Sequence, residues 1–129
     1  MRRITLLLLV VPLGAVAAQQ IAPKVLADGF SPGQWRAVEV AVNQKAVRTI
    51  CIATQAQMAT DGRPAEGCQM NVLTDEPGNA VISYKCESGL SGRTEIRRDA
   101  AGIYTIHAQG LDKGLPFASH SEWRRSGSC

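Results

Sequence analysis

The four cysteines constrain the fold of this chain more than any other feature of the sequence. Cys51, Cys68, Cys86 and Cys129 are separated by 17, 18 and 43 residues, without the C-x-x-C pair of zinc ribbons and thioredoxin-like sites. Cys68 begins and Cys86 ends two apolar segments that lie symmetrically about the turn-forming residues 75–79. Opposed positions of such a hairpin approach closely enough for a disulfide. We therefore predict Cys68–Cys86 and Cys51–Cys129 bonds; the alternative pairing is Cys51–Cys68 with Cys86–Cys129.

The N-terminus has the three parts of a secretory signal peptide. Two arginines precede an apolar run from Ile4 to Val11, and a small-residue segment offers cleavage after Ala17 or Ala18. The run is shorter than the roughly 20 residues of a membrane-spanning helix. We expect residues 1–18 to be removed, leaving no stable membrane anchor. The product is expected in the periplasm or outside the cell, where an even number of cysteines forms disulfides.

The rest of the chain has the size of one domain. Residues 19–31 contain the breakers Pro23 and Gly29 without a periodic pattern, which predicts a flexible lead-in. Residues 32–129 are expected to form a single β domain. The formal net charge of +3 includes the two arginines of the signal peptide, so we expect no nucleic-acid partner.

Alternation of polar and apolar residues predicts an all-β domain of about seven strands. The predicted strands are Trp35–Asn43, Ala46–Ile52, Cys68–Leu73, Ala80–Cys86, Arg93–Arg98, Ile103–Gln109 and Phe117–Arg125. Thr54 and Gln57 are spaced as in a capping box, which predicts one short helix over residues 54–59. Turn signals between the strands favour an antiparallel meander. Since an open sheet leaves its apolar face uncovered, we expect the meander to curl into a barrel or half-barrel, with Trp35 and Trp123 in the core.

Several short motifs resemble a known family. They are Pro32-Gly33-Gln34-Trp35 at the first strand, Cys51-Ile52, the hairpin pair Cys68 and Cys86, Gly92, and the closing run of residues 124–129, Arg-Arg-Ser-Gly-Ser-Cys. In these features residues 32–129 resemble the bacterial secreted family known as domain of unknown function 3617. The resemblance implies an envelope β-protein and supplies no activity or catalytic residues.

The two histidines do not predict a catalytic or metal site. His107 and His120 lie on different predicted strands, no further metal ligands are placed beside them, and no cofactor is predicted. His107 shares its phase with Ile103 and Thr105, which favours a partly buried, hydrogen-bonded histidine over a ligand or base. A Ser-His-Asp triad with Ser119, Ser121 or Ser83 lacks the G-x-S-x-G elbow.

The arginines offer the other candidate site. Five of them fall in two predicted strands and would form a patch for anionic lipid, sugar acid or glycan phosphate: Arg93, Arg97, Arg98, Arg124 and Arg125. Acidic residues lie between them in sequence, which favours the alternative of a solvated face with cross-strand ion pairs.

The sequence therefore predicts an exported, non-enzymatic binding or structural domain whose envelope ligand or protein partner is unknown. Two alternatives stay open. One is an inhibitor of a cell-wall-degrading enzyme such as lysozyme, which would act through an exposed loop at residues 88–92. The other is an enzyme that uses His107 or His120.

Overall fold

A computed structural model of the protein describes residues 20–40 and 46–129. The predicted signal peptide and the end of the first predicted strand lie outside the described residues. The elements in chain order are a 3₁₀ turn at Lys24–Leu26, β1 (Gly33–Glu39), β2 (Val47–Ile52), α1 (Gln55–Ala59), β3 (Cys68–Glu76), β4 (Asn79–Cys86), β5 (Leu90–Ala100), β6 (Ile103–Asp112) and β7 (Leu115–Gly127). The all-β class, the seven strands and the short helix are confirmed.

The seven strands form one antiparallel sheet in the order β2-β1-β7-β6-β5-β4-β3. Strands β3 to β7 follow one another as consecutive hairpins, as the meander predicts. The hairpin of β1 and β2 joins this sheet because β1 pairs with β7. Among the described strands, β2 and β3 do not pair, so the sheet is not closed into a barrel. The prediction was a barrel or half-barrel, and of these two the closed barrel is not formed.

Residues 53–67 connect the two edge strands, β2 and β3, which do not pair with each other. The Thr54 hydroxyl accepts from the backbone N–H of Gln57 at 3.2 Å and caps α1, as the capping-box spacing predicts. The Gln57 side chain accepts from the Ala53 N–H at 3.0 Å and completes the cap one residue earlier than a standard box. The buried side of α1 carries Met58 and Ala59, which pack into the core.

Both predicted disulfides are present and no free cysteine remains among the described residues. Cys68 and Cys86 are register partners on β3 and β4, as the symmetric hairpin requires. Cys51 on β2 and Gly127 on β7 both pair with Gln34 of β1, from opposite sides. The Cys51–Cys129 bond therefore spans β1 and holds the C-terminus to the sheet. Two disulfides indicate an oxidising compartment.

The core lies on one face of the sheet, beneath α1 and the 3₁₀ turn. Trp35 and Trp123 are both fully buried in it, on the neighbouring strands β1 and β7. Val25 and Leu26 of the 3₁₀ turn are also buried, and the Lys24 N–H donates to an Asp75 carboxylate oxygen at 2.7 Å. This part of the predicted flexible lead-in therefore contributes to the core.

The hairpin of β6 and β7 is longer than the sequence indicates. The predicted strands end at Gln109 and begin again at Phe117, whereas in the structure a two-residue turn at Lys113–Gly114 joins strands that pair up to Asp112 and Leu115. Both turn residues have positive φ, of 50° and 82°, which is the backbone of a type I′ turn. Pro116 lies four residues before His120 and shares its phase in the ladder, so its backbone nitrogen points away from β6 and the pairing of β6 with β7 loses no hydrogen bond.

Candidate functional site

His107 and His120 stand side by side on the face of the sheet opposite the core, which we call the outer face. They are direct register partners on β6 and β7. Their imidazole rings are stacked, with centroids 3.8 Å apart and an angle of 24° between the planes. The structure thus brings together two residues that the sequence analysis treated separately.

The hydrogen bonding of β7 explains why the two rings come so close. The His120 N–H donates to the Glu39 carboxylate at 2.8 Å, and the His120 carbonyl accepts from the Val40 N–H at 2.8 Å. Both backbone groups therefore point toward β1 and away from β6. The pair of His107 and His120 is consequently a non-hydrogen-bonded pair, the type in which opposed Cα atoms lie about 4.5 Å apart and side chains are closest.

An open groove of about 520 Å³ surrounds the two rings. We call it the His groove; its polar lining is Glu39, Arg93, Glu95, His107, Gln109, Ser119 and His120. The register places Glu95 of β5 directly beside His107, and Arg93 directly beside Gln109. Within the described residues, no hydrogen bond or ion pair engages the side chains of Arg93, Glu95, His107 or Gln109. These groups are available to a ligand.

The predicted burial of His107 is wrong. Its phase with Ile103 and Thr105 is as expected, but that phase belongs to the outer face, and His107 is exposed. The other phase of β6 supplies Ile106 and Ala108 to the core, where both are buried. Alternation alone fixes which residues share a face and leaves open which face is buried.

The serines of the hypothetical triad do not approach His120. Ser119 and Ser121 flank it on β7, and successive side chains of a strand point to opposite faces. The Ser119 hydroxyl donates to the Asp61 carboxylate at 2.8 Å, and the Ser121 hydroxyl accepts from the indole N–H of Trp123 at 2.8 Å. Both hydroxyls are thus engaged on the core side of the sheet.

A second polar cluster surrounds Asp61, whose side chain is only 1% exposed. Arg48 donates to one carboxylate oxygen at 3.1 Å, and Arg63 and Ser119 donate to the other at 3.1 and 2.8 Å. The guanidinium of Arg63 also lies 3.8 Å from the centre of the Phe117 ring. Because these partners come from β2, β7 and residues 53–67, the cluster joins the connection to the sheet. Its carboxylate is fully engaged, so we assign it to stability.

Two core tyrosines carry the shifted ionisable groups. Burial raises the pKa of Tyr84, which the nearby Thr94 hydroxyl lowers in part, and burial likewise raises the pKa of Tyr104. The Tyr104 hydroxyl is buried without a hydrogen-bond partner among the described residues. Both tyrosines lie on the core face and take no part in the His groove.

The five arginines of the predicted anion patch do not form one cluster. Arg93 lines the His groove, Arg97 pairs with Asp99 at 3.3 Å, and Arg98 lies 3.9 Å from Asp28. Two more lie at the far end of β7.

Arg124 and Arg125 line a smaller depression together with Arg36, which the sequence analysis did not include. Arg124 pairs with Glu122 at 2.9 Å, and Arg125 donates to the Pro32 carbonyl at 3.0 Å. Most of the arginines thus have a local partner, but the ion pairs of Arg97 and Arg124 join residues two apart on the same strand, so the alternative of cross-strand ion pairs also stays a prediction. Anion binding by this set stays a prediction.

The loop predicted to act on a cell-wall-degrading enzyme is largely a strand. Only Ser88 and Gly89 belong to the turn, whereas Leu90 is buried and begins β5. Gly92 pairs with Tyr84 on one side and Gly110 on the other. The inhibitor hypothesis therefore loses its candidate loop.

The pairing of the histidines had a signal in the sequence. His107 and His120 are symmetric about the Lys113–Gly114 turn, just as Cys68 and Cys86 are symmetric about their own turn. Treating residues 110–116 as an irregular loop hid this symmetry. No group of three or more His, Cys, Asp or Glu side chains within residues 20–40 and 46–129 is arranged to hold a metal ion.

Comparison with protein-family models, curated proteins and solved structures finds no match for this chain. The family resemblance drawn from the short motifs therefore stays a prediction. In the part of the chain that the structure describes, no helix is long and apolar enough to cross a membrane.

Proposed function

We propose that this protein is a non-enzymatic binding domain of the bacterial envelope, located in the periplasm or outside the cell, and that the His groove receives its ligand. The observation that carries the proposal is the set of unengaged side chains in the groove. Arg93, Glu95, His107 and Gln109 are exposed on the outer face, where they contribute nothing to the core. Pockets that gather convergent polar groups of this kind are the usual candidates for binding sites.

The rigidity of the surrounding sheet supports a binding role. The groove lies on β5, β6 and β7, which are paired along their lengths at the centre of the sheet. Cys51–Cys129 restrains one end of β7, and Cys68–Cys86 locks the hairpin beyond β5. A site built on rigid strands holds its side chains in position before the ligand arrives, which lowers the entropic cost of binding.

Two features of the site support binding over hydrolysis. The serines next to His120 are engaged on the core side, so a hydroxyl nucleophile does not face the imidazole. The ring of His120 packs against His107 instead of a serine or cysteine. Nucleophilic catalysis requires the nucleophile and its base to lie within hydrogen-bond reach.

The compartment and the curvature of the sheet form part of the same proposal. The disulfides agree with export, which the signal-peptide pattern predicts. Ile52 of edge strand β2 and Met70 of edge strand β3 belong to one core cluster. That shared core favours a half-barrel, with residues 53–67 lying between its two edges.

Amide shift mapping by ¹H–¹⁵N NMR tests the proposal. The probes are phosphate, citrate, N-acetylmuramic acid and spermidine, each titrated into the oxidised protein. We expect at least one probe to shift the amides of β5, β6 and β7 around the groove, and Arg93→Ala with Glu95→Gln to weaken that response. Amide shifts confined to Arg36 and Arg124 would instead place the binding site in the smaller depression that these residues line. Unchanged spectra with all four probes would refute the His groove as the binding site for these classes of ligand.

A further inference from the structure

We propose that His107 and His120 chelate one divalent transition-metal ion of the copper, nickel and zinc group, at a labile site on the outer face. The inference rests on the proposed function, because it names the ligand class of the same groove. It is carried by the geometry of the pair: two imidazoles are fixed opposite each other at a non-hydrogen-bonded position of adjacent strands. Imidazole is the side chain that suits these ions.

The spacing of the rings fits one shared ion. Two nitrogens that bind one ion at about 2.1 Å, at right or tetrahedral angles, lie about 3.0 to 3.4 Å apart. The ring centroids are 3.8 Å apart. To bind one ion, each imidazole must turn out of the stacked arrangement about its side-chain bonds, so that one nitrogen lone pair of each ring points at the ion.

The charges around the pair favour a cation. Glu95 is the register partner of His107, and the carboxylate of Glu39 accepts a hydrogen bond from the backbone N–H of His120. Among the described residues that line the groove, Arg93 is the one arginine or lysine. Two carboxylates against one guanidinium leave the groove acidic when the imidazoles are neutral, which attracts a divalent ion.

The donor set defines the kind of site. With two protein ligands, water fills the remaining positions, and the ion exchanges readily. Structural zinc sites instead use four protein ligands. Two imidazoles without thiolates favour copper over nickel and zinc, in the order of intrinsic affinities of divalent ions. All four cysteines are held in disulfides, so thiolate does not compete for the ion.

Isothermal titration of the untagged, oxidised protein with Cu(II) and with Zn(II) tests the inference. We expect one ion per chain. His107→Gln and His120→Gln should each weaken binding by at least about tenfold, because loss of a direct ligand costs no less than loss of a group that supports one. Gln69→Ala is the matched control, since it removes an exposed glutamine of β3 that does not line the groove, and it should bind as the wild type does.

A second measurement identifies the atoms. Zn(II) is diamagnetic, so the ring proton signals of both histidines should shift together and with the same midpoint. Equal binding by the His107→Gln/His120→Gln double variant, or a shift of one ring alone, would overturn the inference, as would the lack of saturable binding at millimolar metal. If no metal binds but an organic probe still binds in the groove, the metal inference fails and the proposed function stands. If neither the metal nor an organic probe binds, both proposals fail.

Discussion

Replacing Asp61 with alanine is expected to lower the free energy of unfolding by about 4 kcal/mol. This carboxylate is buried, accepts from Arg48, Arg63 and Ser119, and ties residues 53–67 to β2 and β7. Asp61 also has a φ of 57°, in the left-handed region. The substitution therefore removes the shared acceptor and places a β-carbon of alanine in an unfavourable backbone conformation.

The magnitude follows from two contributions. Breaking a buried ion pair by removing one partner costs about 3–5 kcal/mol. The side chains of Arg48 and Arg63 are 38% and 27% exposed, so water partly replaces the lost acceptor and the lower end, about 3 kcal/mol, applies. The left-handed backbone adds about 1 kcal/mol for alanine.

Two further variants separate these contributions. Asp61→Gly removes the carboxylate without the backbone penalty, so we expect a loss of about 3 kcal/mol. Asp61→Asn keeps one acceptor and tolerates positive φ, so we expect about 1–2 kcal/mol. Glu66→Ala is the matched control from the same connection, where the side chain is exposed, and should stay within about 0.5 kcal/mol of the wild type.

Urea unfolding of the oxidised wild type and the four variants measures the five free energies of unfolding. The expected order of stability is wild type and Glu66→Ala, then Asp61→Asn, Asp61→Gly and Asp61→Ala. If Asp61→Ala unfolds within about 1 kcal/mol of the wild type, the cluster does not hold the connection and the reasoning fails.

Removing the Cys51–Cys129 bond by double alanine substitution should cost about 4.5 kcal/mol in the chain-entropy model, since it closes a separation of 78 residues; a loss below about 1 kcal/mol in urea unfolding would contradict this. Tyr104→Phe should leave stability at neutral pH unchanged or higher, because it removes a buried hydroxyl without a partner among the described residues. Burial raises the pKa of Tyr104 above its ordinary value of about 10, so the stability linked to its neutral form is complete below pH 10 and falls as the pH rises through the folded value; the variant should lose less stability than the wild type above about pH 10, and equal alkaline loss would refute this. Gly110→Ala should cost about 1–3 kcal/mol because its β-carbon would overlap a backbone oxygen of the neighbouring strand, whereas Gly78→Ala, in open space, should change the midpoint little; equal thermal midpoints would contradict the contact.

Local patterns predicted most of the secondary structure. Hairpin symmetry predicts the Cys68–Cys86 bond from the sequence, because paired positions of a hairpin are equidistant from its turn. The Thr54 cap located α1 for a similar reason, since the capping contact joins residues three apart. Features that depend on residues close together in the chain can therefore be predicted from the sequence.

The open sheet depended on contacts that the strand pattern does not encode. A meander places β2 next to β3, and whether they pair depends on the connection between them. Residues 53–67 bury Met58 and Ala59 and engage Arg48 through Asp61. Arg48 faces the core side, where it donates to Asp61 and its guanidinium lies 5.6 Å from the centre of the Trp123 ring; both partners are more than ten residues away.

The His groove was missed because the register between β6 and β7 was missed. Gly110 and Pro116 lie outside the predicted strands, yet both lie within strands of the structure. Gly110 permits close approach to Gly92 of β5, and the backbone nitrogen of Pro116 points away from β6. Why each residue is tolerated in its strand is explained by the neighbouring strand, which the sequence pattern does not identify.

A two-dimensional NOESY spectrum tests the central geometric claim most directly. If His107 and His120 form a non-hydrogen-bonded pair, their α-protons face each other, and a strong cross-peak must join them. Cross-peaks between the two imidazole rings should accompany it. A strong α-proton cross-peak from His107 to Ser119 or Ser121 instead would indicate a register shifted by one residue, would place His120 on the opposite face, and would contradict the groove and both proposals built on it.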